Sequence, residues 1–165
     1  MESMKVATPH ISRLKEIIKG DIDNGDDYCG CSDFPCGVEC TFIKLDKEIG
    51  AKVFHRKRSR DIAFKNQKKG FKSRVGPKAI ASFTIREKEL NIYGRYVYLT
   101  KIAKKKSVHN FWDRVEVLAK RLKKIGLSDA DLHSDNVAFI GNRMVCIDFG
   151  PLSQPREGNG GANES

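Results

Sequence analysis

Phe111, Val115, Leu118, Leu122 and Ile125 recur at spacings of four, three, four and three. That period places all five on one helical face, and such a stripe must be covered by a core. Gly126 ends the pattern, and a polar loop follows. Residues 137–140 and 144–147 are then two short apolar runs either side of Gly141-Asn142, a pair suited to a tight hairpin that needs positive φ. The second half of the chain therefore reads as an amphipathic helix, a polar loop and a β-hairpin.

The first half reads as a small antiparallel sheet with a helix. Thr8-Pro9 followed by Ile11, Leu14, Ile17, Ile18 and Gly20 predicts a short capped amphipathic helix, with proline in its first turn and glycine at its end. Residues 21–27 are acidic and turn-prone. Strands are expected over 38–45 and 51–54, joined by a turn at 46–50, and a weakly patterned basic helix over 59–72. Two more antiparallel strands, 78–86 and 91–99, are joined by the charged turn 87–90, and 100–106 is a polar connector. The tail beyond Pro151 ends GNGGANES, has nothing to bury and predicts disorder. No internal repeat is visible.

The chain has 165 residues and 39% hydrophobic content, enough for one core. No apolar stretch approaches the roughly 18 residues of a membrane span, and MESMKVATPH lacks the apolar core of a secretory signal. The expectation is a cytoplasmic protein. Lysine and arginine exceed aspartate and glutamate by ten charges, which draws acidic partners, whether proteins, nucleotides or nucleic acid. Nucleic acid is the minority reading, because the basic residues are spread at spacings that solvated helix faces also show. Cys29, Cys31, Cys36 and Cys40 crowd into twelve residues. They form a candidate Zn²⁺ tetrad, weighed against free reduced thiols.

Chemistry concentrates further along, in Asp131-Leu132-His133-Ser134-Asp135-Asn136, the hairpin, and Asp148-Phe149-Gly150. Taken singly, each motif also suits a cap or a turn. Together they resemble the protein-kinase-like superfamily. That pattern has a catalytic-loop aspartate, an asparagine five residues on, and D-F-G after the next hairpin. The D-L-H form is similar to that of small-molecule and atypical kinases and of small bacteriophage and bacterial-effector Ser/Thr kinases. A viral or effector source, acting in a host cytoplasm, is a corresponding expectation.

The resemblance implies an α+β minimal kinase-like fold. It divides the chain into a helix and acidic linker (1–27), an N-lobe and hinge (28–106), a truncated C-lobe (107–152) and a tail (153–165). It implies ATP and Mg²⁺ as cofactors and a protein substrate, and the surplus of positive charge suits an acidic one. Asn136 and Asp148 would supply hard oxygens to Mg²⁺. Asp131 would orient and deprotonate the incoming hydroxyl. His133 would orient the loop or touch the γ-phosphate. Lys52, in Gly50-Ala51-Lys52-Val53, stands where the family's strand lysine grips the α- and β-phosphates. Gly30 and Gly37 would flank the phosphate-covering loop, although the family's G-x-G-x-x-G is missing.

Three departures accompany the match. No acidic residue lies between Asp61 and Glu87, so Asp61 or Gln67 must partner Lys52 or the usual lysine–glutamate pair is missing. Asp129-Ala130 replaces the usual His-Arg, removing the arginine that reads activation-loop phosphorylation. Only fifteen residues follow Gly150, too few for the usual peptide platform. A non-catalytic binding module whose basic surface captures an acidic protein or nucleic acid is the second expectation. Trp112 reads as core or groove packing, and His55 and His109 as surface residues.

Overall fold

The computed structural model describes residues 2–23, 40–127 and 132–150. The acidic linker beyond Asp23, Cys29, Gly30, Cys31, Cys36, Gly37, Asp129 to Asp131 and the tail from 151 lie outside them. The fold is α+β, as expected. Its elements are α1 (Glu2–Asp23), β1 (Cys40–Lys44), β2 (Ile49–Phe54), α2 (Lys57–Lys72), β3 (Ala79–Thr84), β4 (Tyr96–Lys101), α3 (Phe111–Lys124), β5 (Val137–Ile140) and β6 (Arg143–Cys146), with a 3₁₀ turn at Lys88–Leu90.

The first four strands form an antiparallel sheet in the order β1-β2-β4-β3. Successive strand residues face opposite sides, so each central strand serves two layers. Ile49, Ala51, Val53, Val97 and Leu99 pack with Leu14 and Ile18 of α1. From the other side of the same strands, Phe54 and Tyr98 pack with Ala63 of α2. All six positions of β2 are buried as a result, which is why its sequence does not alternate apolar with polar. Lys52 falls on the α2 side, one step from Phe54.

α1 is longer than the Thr8-to-Gly20 helix predicted, and it runs through both Pro9 and Gly20. An interior proline costs about 3 kcal/mol, while Leu14 and Ile18, both fully buried, contribute about 1.5–3 kcal/mol each. Burial of these two residues is large enough to offset an interior proline in the helix that carries them. The phenol of Tyr93 donates to Asp21 at 3.2 Å and holds the last turn. The expected connector 100–106 also begins late, since β4 extends to Lys101.

α3 and the β5–β6 hairpin enclose a second cluster of Val115, Leu118, Leu122, Val137, Phe139, Met144 and Cys146, as the apolar stripe predicted. Gly141 takes the left-handed φ of 61° that the hairpin turn requires. Backbone bonds join this unit to the connector after β4 and to the segment between α2 and β3. Lys104 and Phe139 exchange N–H···O bonds of 2.9 Å, and Cys146 N donates to Val75 O at 2.8 Å. Trp112 departs from its expected packed role: it is 66% exposed, its ring meeting Phe111 edge-on. His55 and His109 are exposed, as expected.

Candidate active site

Lys52 stands at the join between the two units. Its Nζ donates to Ile147 O at 2.7 Å and pairs with Asp148 Oδ1 at 3.3 Å. The lysine side chain is 10% exposed and the aspartate 49%, so a buried ammonium faces a carboxylate open to solvent. Burial works against the ammonium, but the charges that Tyr98 and Cys40 would carry on ionising, and after them the Asp148 carboxylate, outweigh that and raise its pKa. Lys52 is therefore a fixed positive charge at neutral pH.

The helix partner sought for Lys52 is not supplied by either expected residue. Asp61 accepts from Arg60 Nε at 2.6 Å. Gln67 accepts from the Tyr98 hydroxyl at 2.8 Å and donates to Thr100 Oγ1 and, at 3.4 Å, to Pro77 O. Tyr98 is the cross-strand neighbour of Lys52, so α2 reaches the lysine only through a buried phenol. Burial raises the Tyr98 pKa well above that of an ordinary tyrosine, so the phenol is neutral and contributes no charge. Sequence reasoning missed Tyr98, because its placement depends on strand register.

Asp148 is held by what flanks it. Phe149 is fully buried against α2 and the turn that follows. A Cβ on Gly70 would stand 2.6 Å from its ring, and one on Gly76 2.7 Å. Both glycines form a notch for the phenyl group, and a glycine inside the helical run Lys68-Lys69-Gly70-Phe71 was the available signal. On the other side, the Cys146 thiol donates to Asp148 O at 2.9 Å. Burial pushes that thiol up to about 12, so it remains a protonated donor.

The loop residues are tied to the same hairpin. Ile147 N donates to Asn136 O at 2.9 Å, extending the β5–β6 ladder by one step so that Asn136 and Asp148 emerge at one end. Asn136 Nδ2 lies 2.9 Å from His133 Nε2, and Asp135 N lies 3.2 Å from His133 Nδ1. His133 thus touches the asparagine amide. Lys105, from the connector, donates to Ser134 O at 2.6 Å and to Asp135 O and Val137 O at 2.8 Å each. It clips the carbonyls on both sides of Asn136, a contact no motif announced.

Asn136 and Asp148 provide an amide oxygen and a carboxylate, a hard donor pair that suits Mg²⁺ together with phosphate oxygens and water. Among the described residues no three His, Cys, Asp or Glu side chains gather as a metal site. Of the candidate Zn²⁺ ligands, only Cys40 lies within them, half-buried on β1. Gly30, Gly37 and Asp131 fall outside the described residues. No protein-family model and no curated protein matches the chain.

Proposed function

We propose that this chain is a minimal kinase-like phosphotransferase that moves the γ-phosphoryl group of ATP to Ser or Thr hydroxyls of protein substrates. The observation that best supports this reading is the 3.3 Å pair between Lys52 and Asp148, 96 residues apart. An anchored cation and a solvent-open carboxylate at one point are the two charges that a metal-bound triphosphate requires. Bound Mg²⁺ would neutralise the phosphate oxygens. Lys52 would bind the α- and β-phosphates, exchanging Ile147 O and Asp148 for phosphate oxygens. Asn136 and Asp148 would hold the cation, with His133 and Lys105 fixing the loop. By its place in the motif, Asp131 would orient the acceptor hydroxyl. As the acceptor oxygen bonds to phosphorus and the bond to ADP breaks, the hydroxyl proton passes to Asp131.

The test is transfer of labelled γ-phosphate from ATP and Mg²⁺ to a lysate and to the protein itself. Asp148→Ala and Lys52→Met should abolish labelling, and Asp131→Ala should lower it by roughly 10²- to 10⁴-fold. Labelling that persists in Asp148→Ala would sink the assignment. A second reading, a kinase-like binding module with weak or no catalysis, is favoured by one observation: α2 brings no carboxylate to Lys52. Its mark would be nucleotide binding, lost in Lys52→Met, without transfer in the wild type.

A further inference from the structure

Away from Lys52, α3 and β6 border an open pocket of about 320 Å³ whose lining includes Arg114, Arg121 and Arg143. The only acidic side chain lining it is Asp113, so three guanidiniums against one carboxylate leave two positive charges. Among the described residues none of the three arginines forms an ion pair. Arg114 Nη1 donates to Asn142 O at 3.3 Å, and Arg121 Nη2 to Ser73 O at 3.1 Å and Arg74 O at 3.3 Å. These contacts fix the guanidiniums through carbonyls without neutralising them. Arg143 Nε is buried and has no hydrogen-bond partner, so this guanidinium too is left without a counter-charge.

We infer that this cavity is a phosphate-monoester site that docks a phosphorylated Ser or Thr segment of a partner protein. A phosphate dianion matches the two surplus charges, whereas a single carboxylate leaves one unmet. Planar guanidinium forks suit its oxygens in bidentate fashion. The surround fits a peptide. Leu118 and Met144 are buried in the cavity wall, and Val117 on its edge is 57% exposed, giving apolar footing to residues beside the phosphate. The three arginines line a single pocket, whereas a nucleic-acid backbone calls for a charged track. The inference is independent of the proposed transfer activity, since none of these residues belongs to the Lys52 site.

The experiment is fluorescence anisotropy on the full chain with a degenerate phosphoserine-centred peptide pool. Matched pools carrying Ser or Glu, and a single-stranded oligonucleotide as competitor, complete the set. The phosphoserine pool should bind about ten-fold or more tighter than either matched pool, as expected for a charge-assisted bidentate contact. Arg114→Gln, at an exposed position that carries no core contact, should remove most of that difference. Lys65→Gln, an equal loss of charge on exposed α2, should leave it intact. Equal binding of the Ser and phosphoserine pools would overturn the inference. So would equal losses in Arg114→Gln and Lys65→Gln, or displacement by the oligonucleotide at peptide concentrations, because each would mean diffuse electrostatics.

Discussion

At the scale of single residues, two glycines in helices have opposite meanings. Gly20 in α1 has nothing within 4 Å of where a Cβ would stand, while Gly70 in α2 is pressed by the Phe149 ring. Gly20→Ala should therefore stabilise the protein by about 0.5–1 kcal/mol through helix propensity and unfolded-state entropy. Gly70→Ala gains the same propensity but overpacks the notch, which costs about 1–3 kcal/mol and moves Phe149. Urea unfolding should show the two substitutions shifting stability in opposite directions. If Gly70→Ala were as stabilising as Gly20→Ala, the notch would not constrain Phe149. If the proposed phosphoryl transfer holds, it should fall in Gly70→Ala beyond the stability loss, because Asp148 precedes the displaced ring. Lys52, Asn136, His133 and Asp148 were legible in the sequence because each sits in a short motif of fixed spacing. Tyr98 and Gly76 were not, since their roles arise from strand register and from a ring contributed about seventy residues away.

At the scale of elements, what the sequence disclosed followed from periodicity, and what it concealed followed from packing. α3 could be read from its stripe because one face is buried and the other wet. β2 is covered on both faces, so its run could be assigned but not the burial of Lys52. α1 continues past its glycine, where Tyr93 holds Asp21 of the added turn. The connector between β4 and α3 appeared only polar, yet Lys105 within it bonds three carbonyls of the 134–137 segment. Burial lowers the Lys105 pKa and the Asp135 charge works in the opposite direction. Lys105→Met would remove those donors and leave the carbonyls of exposed Ser134 and Asp135 to water. Global stability should change by less than about 1 kcal/mol. The proposed transfer activity should drop about ten-fold or more as the loop loses its fixed geometry, and amide exchange at 133–136 should quicken. Unchanged exchange with unchanged activity would reduce the clip to a surface contact.

For the whole molecule, the join between the sheet and the α3–hairpin unit is the part most sensitive to alkali. Lys52, Tyr98 and Cys146 are all buried there, and each holds its proton more tightly in the fold than in the open chain. The unfolded chain therefore loses these protons first as pH rises. With the native state binding more protons than the unfolded state, the slope of unfolding free energy against pH is negative. For Cys146 the contribution is fully present below its ordinary value of 9.0 and is lost as pH climbs toward about 12. Lys52 acts in the same direction above 10.5, since its charged form is the one the native state favours. Stability measured by urea unfolding should be level through neutral pH and fall steadily from about pH 9. Cys146→Ala removes one of the three titrations, at the cost of a small cavity and the thiol's bond to Asp148 O. Its neutral stability should be lower, yet its decline between pH 9 and 11 should be shallower than that of the wild type. A wild-type curve that stays flat to pH 11 would show that these groups are not buried together. Parallel slopes in the two proteins would assign the alkaline loss to Lys52 and Tyr98 alone.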